Sequence, residues 1–234
     1  MLFDNVLFLR SISNPTSLSG RSIEVIVGSE HPITFSVHEN LISAASEIFK
    51  KCMGGNWKEG KNRSVRLESQ DPEVFQIYLH WLYCHTFPVR IDSPGLSGTV
   101  EYLQLAKAYV LGDMSQDGAF KDATLDAMMD KAGSTASDVI RVIYDNTLES
   151  SEARSLLVDL YANHGHGNWL RDWAEFLLDL VTAVLDKRLG QEAGSTSKPT
   201  DSCAYHQHPP GGFFCYRNRS PSTVLVSQED VDEE

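Results

Sequence analysis

The sequence predicts an α+β fold: a small sheet with surrounding helical hairpins, followed by an all-α extension and a disordered tail. Three observations carry this. Apolar residues alternate over two short runs between residues 22 and 37, which is strand periodicity. From residue 41 to residue 189 they recur mostly at three- and four-residue steps, with one short return to a strand pattern. Beyond Gly190 the composition shifts to Ser, Thr, Pro, Gly and Gln and ends in "QEDVDEE", which offers too little apolar surface to order a chain.

Residues 1–21 contain "SISNPTSLSG" and read as a loosely held arm. In "SIEVIVG" (22–28), Ile23, Val25 and Val27 share one face, and Gly28 begins a turn. "PITFSV" (32–37) repeats the pattern with Ile33, Phe35 and Val37, so the two runs pair as a hairpin. Leu41, Ile42, Ala45, Ile48, Phe49 and Cys52 then mark one helix, "GGNWKEGKNR" (54–63) a loop, and "SVRLE" (64–68) a short strand. "DPEVFQIYLHWLYC" (71–84) starts with an Asp cap followed by Pro at the first helical position, with Val74, Ile77, Tyr78, Trp81 and Leu82 as its apolar stripe. Val100, Leu103, Ala106 and Val110 mark a further helix. Residues 115–130 hold another, with Phe120, Leu125 and Met128 inward. Helices over 135–147, 151–163 and 167–189 complete the extension. The last carries Trp169, Trp173, Phe176, Leu177, Leu180, Val184 and Leu185 on one side.

Charge and composition remove several function classes. The 234 residues carry a formal net charge of -12 with no compensating Lys/Arg cluster, so a nucleic-acid phosphate backbone or an anionic membrane would repel the chain. Lys50, Lys51 and Lys58 read as part of a solvated face. "MLFDNVLFLRS" is interrupted by Asp4 and Arg10, and no stretch reaches about 18 uncharged apolar residues, the length a membrane span needs. The expectation is an intracellular protein, cytoplasmic or nuclear. Cys52 and Cys84, alone in apolar segments, fit reduced, buried thiols.

Together, "SIEVIVGSEHPITFSVHENLISAASEIFKKCM", "WKEGKNRSVRLESQDPEVFQIYLHWLYC" and "YLQLAKAYVLGD" resemble a BTB/POZ domain. The resemblance rests on F-x-V-H-x-x-L at the first helix, S-x-x-F, a W-x-E loop, the D-P-x-x-F helix ending in L-Y, and L-x-x-L-A-x-x-Y in that order. It implies a BTB/POZ domain over 22–131, an arm over 1–21, a helical extension over 132–189 and the tail over 190–234. Two positions depart from the family pattern: Glu24 lies where an Asp usually begins the first strand, and Glu39 replaces a basic residue after the histidine.

The resemblance implies a protein–protein interaction module that binds other proteins, with no nucleic acid and no membrane. It points to a substrate adaptor for a cullin-type ubiquitin ligase, or alternatively a scaffold or transcription-associated regulator without a ligase role. In the family the cullin contact uses the end of the long helix, the following loop and later helices. Here those positions are Tyr83, His85, Thr86 and Phe87, with Met114 and Phe120 further on. Phe87 competes with a second role, capping the core beneath Trp81. Pro15 prevents a long N-terminal helix, so an arm-swapped homodimer is not expected. The resemblance makes His38 architectural, its ring filling the strand–helix junction while a ring nitrogen bonds backbone.

No catalytic site emerges: the sequence has no G-x-S-x-G, no P-loop and no H-E-x-x-H, and an enzyme is not expected. No cofactor is expected, with zinc in the tail as the one exception. His80 and His85 read as surface or cap residues, and "HGHGN" (164–168) as a connector. The tail keeps two readings open. In "CAYHQHPPGGFFC", Cys203, His206, His208 and Cys215 offer two thiols and two imidazoles, the donor set of structural zinc, among Tyr205, Phe213, Phe214 and Tyr216. Of His206 and His208, at i and i+2, one alone could bind with water or another chain completing the shell; the spacing matches no standard finger, and the default reading is a flexible tail with incidental Cys and His.

Overall fold

The computed structural model of the chain describes residues 20–54, 57–88, 99–130, 137–164, 174–192, 202–208 and 215–218. Residues 1–19 of the N-terminal arm, "HGHGN" beyond His164, Trp169, Trp173, Phe213 and Phe214 lie outside these residues.

Strands β1 (Ser22–Val27), β2 (Ile33–His38) and β3 (Ser64–Leu67) form one sheet in the order β2-β1-β3. β1 pairs antiparallel with β2, Ile23 opposite Val37, and parallel with β3, Val25 opposite Val65. As the central strand, β1 buries Ile23, Val25 and Val27, each worth about 1.5–3 kcal/mol relative to exposure. β2 is an edge, and its alternation is only partly used: Val37 is buried, but Ile33 is 50% exposed. Gly28 makes the exit from β1 at φ +97, a backbone region that favours glycine.

The expected single helix after β2 is two, α1 (Glu39–Ala45) and α2 (Glu47–Gly54). Ser46 breaks it. Its backbone is extended, and its buried hydroxyl accepts from Phe49 N at 3.2 Å and donates to Ser115 O at 2.5 Å. The signal was Ser-Glu at 46–47, an N-cap followed by an acidic first turn. Part of the expected loop at 54–63 is helix α3 (Lys58–Asn62), closed by left-handed Arg63. Arg63 Nη1 lies 2.5 Å from Glu39 Oε1, so the acidic residue that departs from the family pattern has its own cation.

In α4 (Pro72–Cys84) the Asp71 carboxylate caps Glu73 N at 3.0 Å. The buried residues are Val74, Phe75, Tyr78, Trp81 and Leu82. α5 (Thr99–Ser115) and α6 (Gly118–Asp130) follow. α5 is buried or half-buried on most sides because it separates two cores. Ala108 and Leu111 join a core with the sheet, α1, α2, α4 and Phe120; Tyr102, Leu105 and Tyr109 join a second core with α7 (Ser137–Asn146) and α8 (Glu152–His164). α5 and α6 approach so closely that a Cβ on Gly112 would lie 3.0 Å from Phe120 Cδ1.

α9 (Ala174–Glu192) packs differently from the expected stripe. Phe176 is buried between Tyr144 and Tyr161, and Leu180 and Ala183 are partly covered, but Val184 and Leu185 face solvent along with Leu178, Val181 and Leu189. No helix of the described residues is long and apolar enough to cross a membrane. Two short stretches of the tail, expected to be disordered, are instead seated on the helices. They are single 3₁₀ turns at Ser202–Tyr205 and Tyr216–Asn218, one buried through Tyr205 and the other leaning on Trp81.

Candidate metal centre and interaction face

His38 ends β2 and caps α1 without a side-chain cap bond. It is half-buried rather than buried. Its ring Nδ1 lies 2.8 Å from the Tyr83 hydroxyl, which also accepts from His38 N at 3.2 Å. The ring therefore bonds a side chain of α4 rather than the expected backbone group. One hydroxyl holds both the main chain and the ring, tying the strand–helix junction to the end of α4. Tyr83, a candidate partner contact, is committed to this junction.

The other candidate contacts separate into two kinds. His85, in the left-handed conformation that closes α4, and Thr86 are exposed, and Thr86 Oγ1 lies 3.0 Å from His80 Nε2. Phe87 stacks on Trp81 at 5.4 Å and on Phe120 at 5.8 Å, which is the packing role, and it stays partly exposed. Phe120 is 0% exposed: Trp81, Tyr78 and Phe87 surround it, and no partner can reach it. Met114 is exposed, but its Sδ is 3.4 Å from Gln70 Nε2, at the end of α4 opposite the 84–88 loop. At 1.5 Å per residue, α4 spans about 20 Å. The expected contact residues are therefore not one patch.

The tail residues do come together. The ligand atoms of Cys203, His206, His208 and Cys215 all lie within 4.8 Å of one another. Cys203 Sγ and Cys215 Sγ are 3.9 Å apart, and Cys215 Sγ is 3.5 Å from His206 Nδ1. The backbone turns tightly here: His206 N bonds Cys203 O, and Asn218 N bonds Cys215 O.

On its other side, His206 Nε2 lies 3.0 Å from Asp126 Oδ1. The His206 side chain is fully buried and that of Asp126 nearly so. A carboxylate can only accept, so Nε2 donates to Asp126, and Nδ1 faces the thiol. Asp126 also takes the Tyr216 hydroxyl and, at 2.7 Å, Arg217 Nη2. Burial first, and then its bond to Asp126, pushes the Tyr216 hydroxyl up, so it remains a donor.

Further bonds seat the segment on two helices. Gln207 N donates to Asp122 Oδ1 at 3.0 Å, Lys121 Nζ to Gln207 Oε1 at 2.8 Å, and Gln207 Nε2 to Glu152 Oε2 at 2.6 Å. Tyr205 donates to Asp159 at 2.5 Å. Asp122 and Asp126 were not anticipated: on a helix of ordinary composition, two acids one turn apart read as solvent-facing. The available signal was that Phe120, Leu125 and Met128 do not fix every side of α6, leaving the acids free to face another segment.

Residues 14–119 match the family model described as "BTB/POZ domain". Among solved structures, the BTB domain of zebrafish PATZ1 is 15% identical, with 46% of this chain and 76% of that chain covered and a TM-score of 0.33. The BTB domain of human gigaxonin is 14% identical, with 54% of this chain and 95% of that chain covered and a TM-score of 0.35. Comparison with curated proteins gives no match. The F-x-V-H-x-x-L junction held by Tyr83, the three-stranded sheet, α4 and α5 all lie in the matched span, and residues 14–119 form a BTB/POZ domain, a protein–protein interaction module.

Proposed function

We propose that the chain is an adaptor that recruits a cullin-type ubiquitin ligase through the loop after α4, within the cytoplasm or nucleus. One observation supports this reading above the others: the loop is exposed and also held. Phe87 stacks on Trp81 and Phe120, Thr86 bonds His80, and His85 is fixed in a left-handed cap, so His85 and Thr86 are presented at little ordering cost. Phe87 positions the loop and does not anchor the partner itself.

The test is a pull-down from native extract with the full chain, probed for cullins. The parent should recover a cullin, and a His85→Glu/Thr86→Glu variant with the parent's melting temperature should not. Equal recovery by that variant removes the loop from the contact. Recovery of other proteins and no cullin by the parent replaces the ligase role with that of a scaffold.

A further inference from the structure

We propose that Cys203, His206, His208 and Cys215 form a structural zinc site that clamps the C-terminal segment across α6 and α8. Two of the ligand separations are those of a tetrahedron around that ion, and the four ligand atoms all lie within 4.8 Å of one another. With Zn–S of about 2.3 Å and Zn–N of about 2.0–2.1 Å, tetrahedral angles place two sulfurs about 3.8 Å apart and a sulfur and a nitrogen about 3.6 Å apart. The Cys203–Cys215 and Cys215–His206 separations are 3.9 Å and 3.5 Å. Two thiolates and two imidazoles are a donor set that selects zinc over hard, oxygen-seeking cations. Four protein ligands leave no open position, which makes the role structural and not catalytic.

A second observation points the same way from outside the ligand set. Metal-binding histidines characteristically donate their remote N–H to a carboxylate, which fixes the tautomer and the ring plane. Asp126 does this for His206 in a buried setting, and is itself held by Tyr216 and Arg217. Asp126 is thus a positioning residue. The site's consequence is topological. Tyr205 belongs to the core of α5, α7 and α8, while Tyr216 packs at 5.7 Å on Trp81 in the sheet-side core. A metal joining residues 203–208 to residue 215 links the two cores through a segment distant in sequence.

The experiment uses the full chain, purified under reducing conditions, equilibrated with Zn²⁺ and dialysed. Metal is measured by mass spectrometry, and a parallel sample receives Co²⁺. The parent should retain roughly one equivalent of zinc and give intense tetrahedral cobalt bands with a thiolate charge-transfer band. A Cys203→Ser/Cys215→Ser variant should retain none and lack both bands. Limited proteolysis gives a readout of the clamp: zinc should protect the segment in the parent, and chelator should expose it. The double variant should be cut at the same rate with or without zinc. Should the double variant fail to fold, Asp126→Asn, which keeps all four ligands, is expected to weaken zinc about 10–100-fold. Zinc retained below about a tenth of an equivalent by the parent, where structural zinc binds far more tightly, overturns the site. So does equal retention by the double variant, or an octahedral cobalt spectrum without the thiolate band.

Discussion

His38 and His206 stand at comparable places, each joining a short element to a helix far away in sequence, and they are held in different ways. His38 is half-buried, and the Tyr83 hydroxyl bonds both its ring and its backbone N–H. His206 is buried completely and is gripped from both ring nitrogens, by Asp126 on one side and Cys215 on the other. The first arrangement stays at the rim of the fold, where one hydroxyl ties the ring Nδ1 and the backbone N–H together. The second gathers two thiols, two imidazoles and four acids, Asp122, Asp126, Glu152 and Asp159, around a short segment with little apolar area of its own. Collecting so many polar groups is costly unless each is paired. A single ring–hydroxyl contact can be structural and self-sufficient, whereas a polar cluster of this density is expected to depend on what binds it.

The sharpest way to break this comparison is to remove the acid behind His206. Asp126→Ala strands the buried His206 N–H and the Tyr216 hydroxyl together, and is expected to lower stability by about 2–4 kcal/mol in a denaturant titration. A cost near zero would mean that the segment is not seated as described. At the other histidine, His38→Ala and Tyr83→Phe should each cost about 1–2 kcal/mol, and the double variant little more than either single one, because they remove one interaction. Additive costs in that cycle would show that His38 acts by filling space and not through the hydroxyl.

Zinc sharpens the contrast further. Excess zinc should raise the melting temperature of the parent and of His38→Ala by similar amounts, since binding to the folded state alone adds RT ln(1 + [L]/Kd) in both. It should leave Cys203→Ser/Cys215→Ser unmoved.

The smallest effect expected lies at Asp71, which caps α4 and so helps place Tyr83. Burial raises its carboxyl somewhat, but the Lys107 ammonium at 2.9 Å and the Glu73 N–H outweigh it and hold the group below the usual carboxylate range. A depressed folded-state value means stabilisation that is present above the unfolded value of about 3.9 and lost as pH falls through the folded one. Asp71→Asn should therefore flatten the acid limb of a stability–pH curve below about pH 4. At neutral pH it should cost under about 1 kcal/mol, because the pair is over a third exposed.

Much of the fold was legible because its signals are local. The β1 alternation of Ile23, Val25 and Val27 needs only a period of two, and the start of α4 needs only Asp71 and Pro72. The order of these elements carried the family resemblance. The misreadings came where neighbours decide. Ser46 splits a run that is helical by period because the Ser115 carbonyl waits for its hydroxyl. Phe120 fits a family contact position but is enclosed by Trp81, Tyr78 and Phe87. Val184 and Leu185 follow an inward stripe, yet the surface that α9 meets ends near Leu180 and Ala183.

For the tail, the sequence by itself determined the donor set: two thiols and two imidazoles within thirteen residues, with aromatics among them. It could not determine whether they meet, because a short Pro- and Gly-containing segment has no periodicity and too little apolar surface to fold alone. The tertiary structure decided that. α6 offers Asp122 and Asp126 on one face, α8 offers Glu152 and Asp159 beside it, and only on that surface do Gln207, Tyr205 and His206 find partners enough to offset the entropy of ordering the chain.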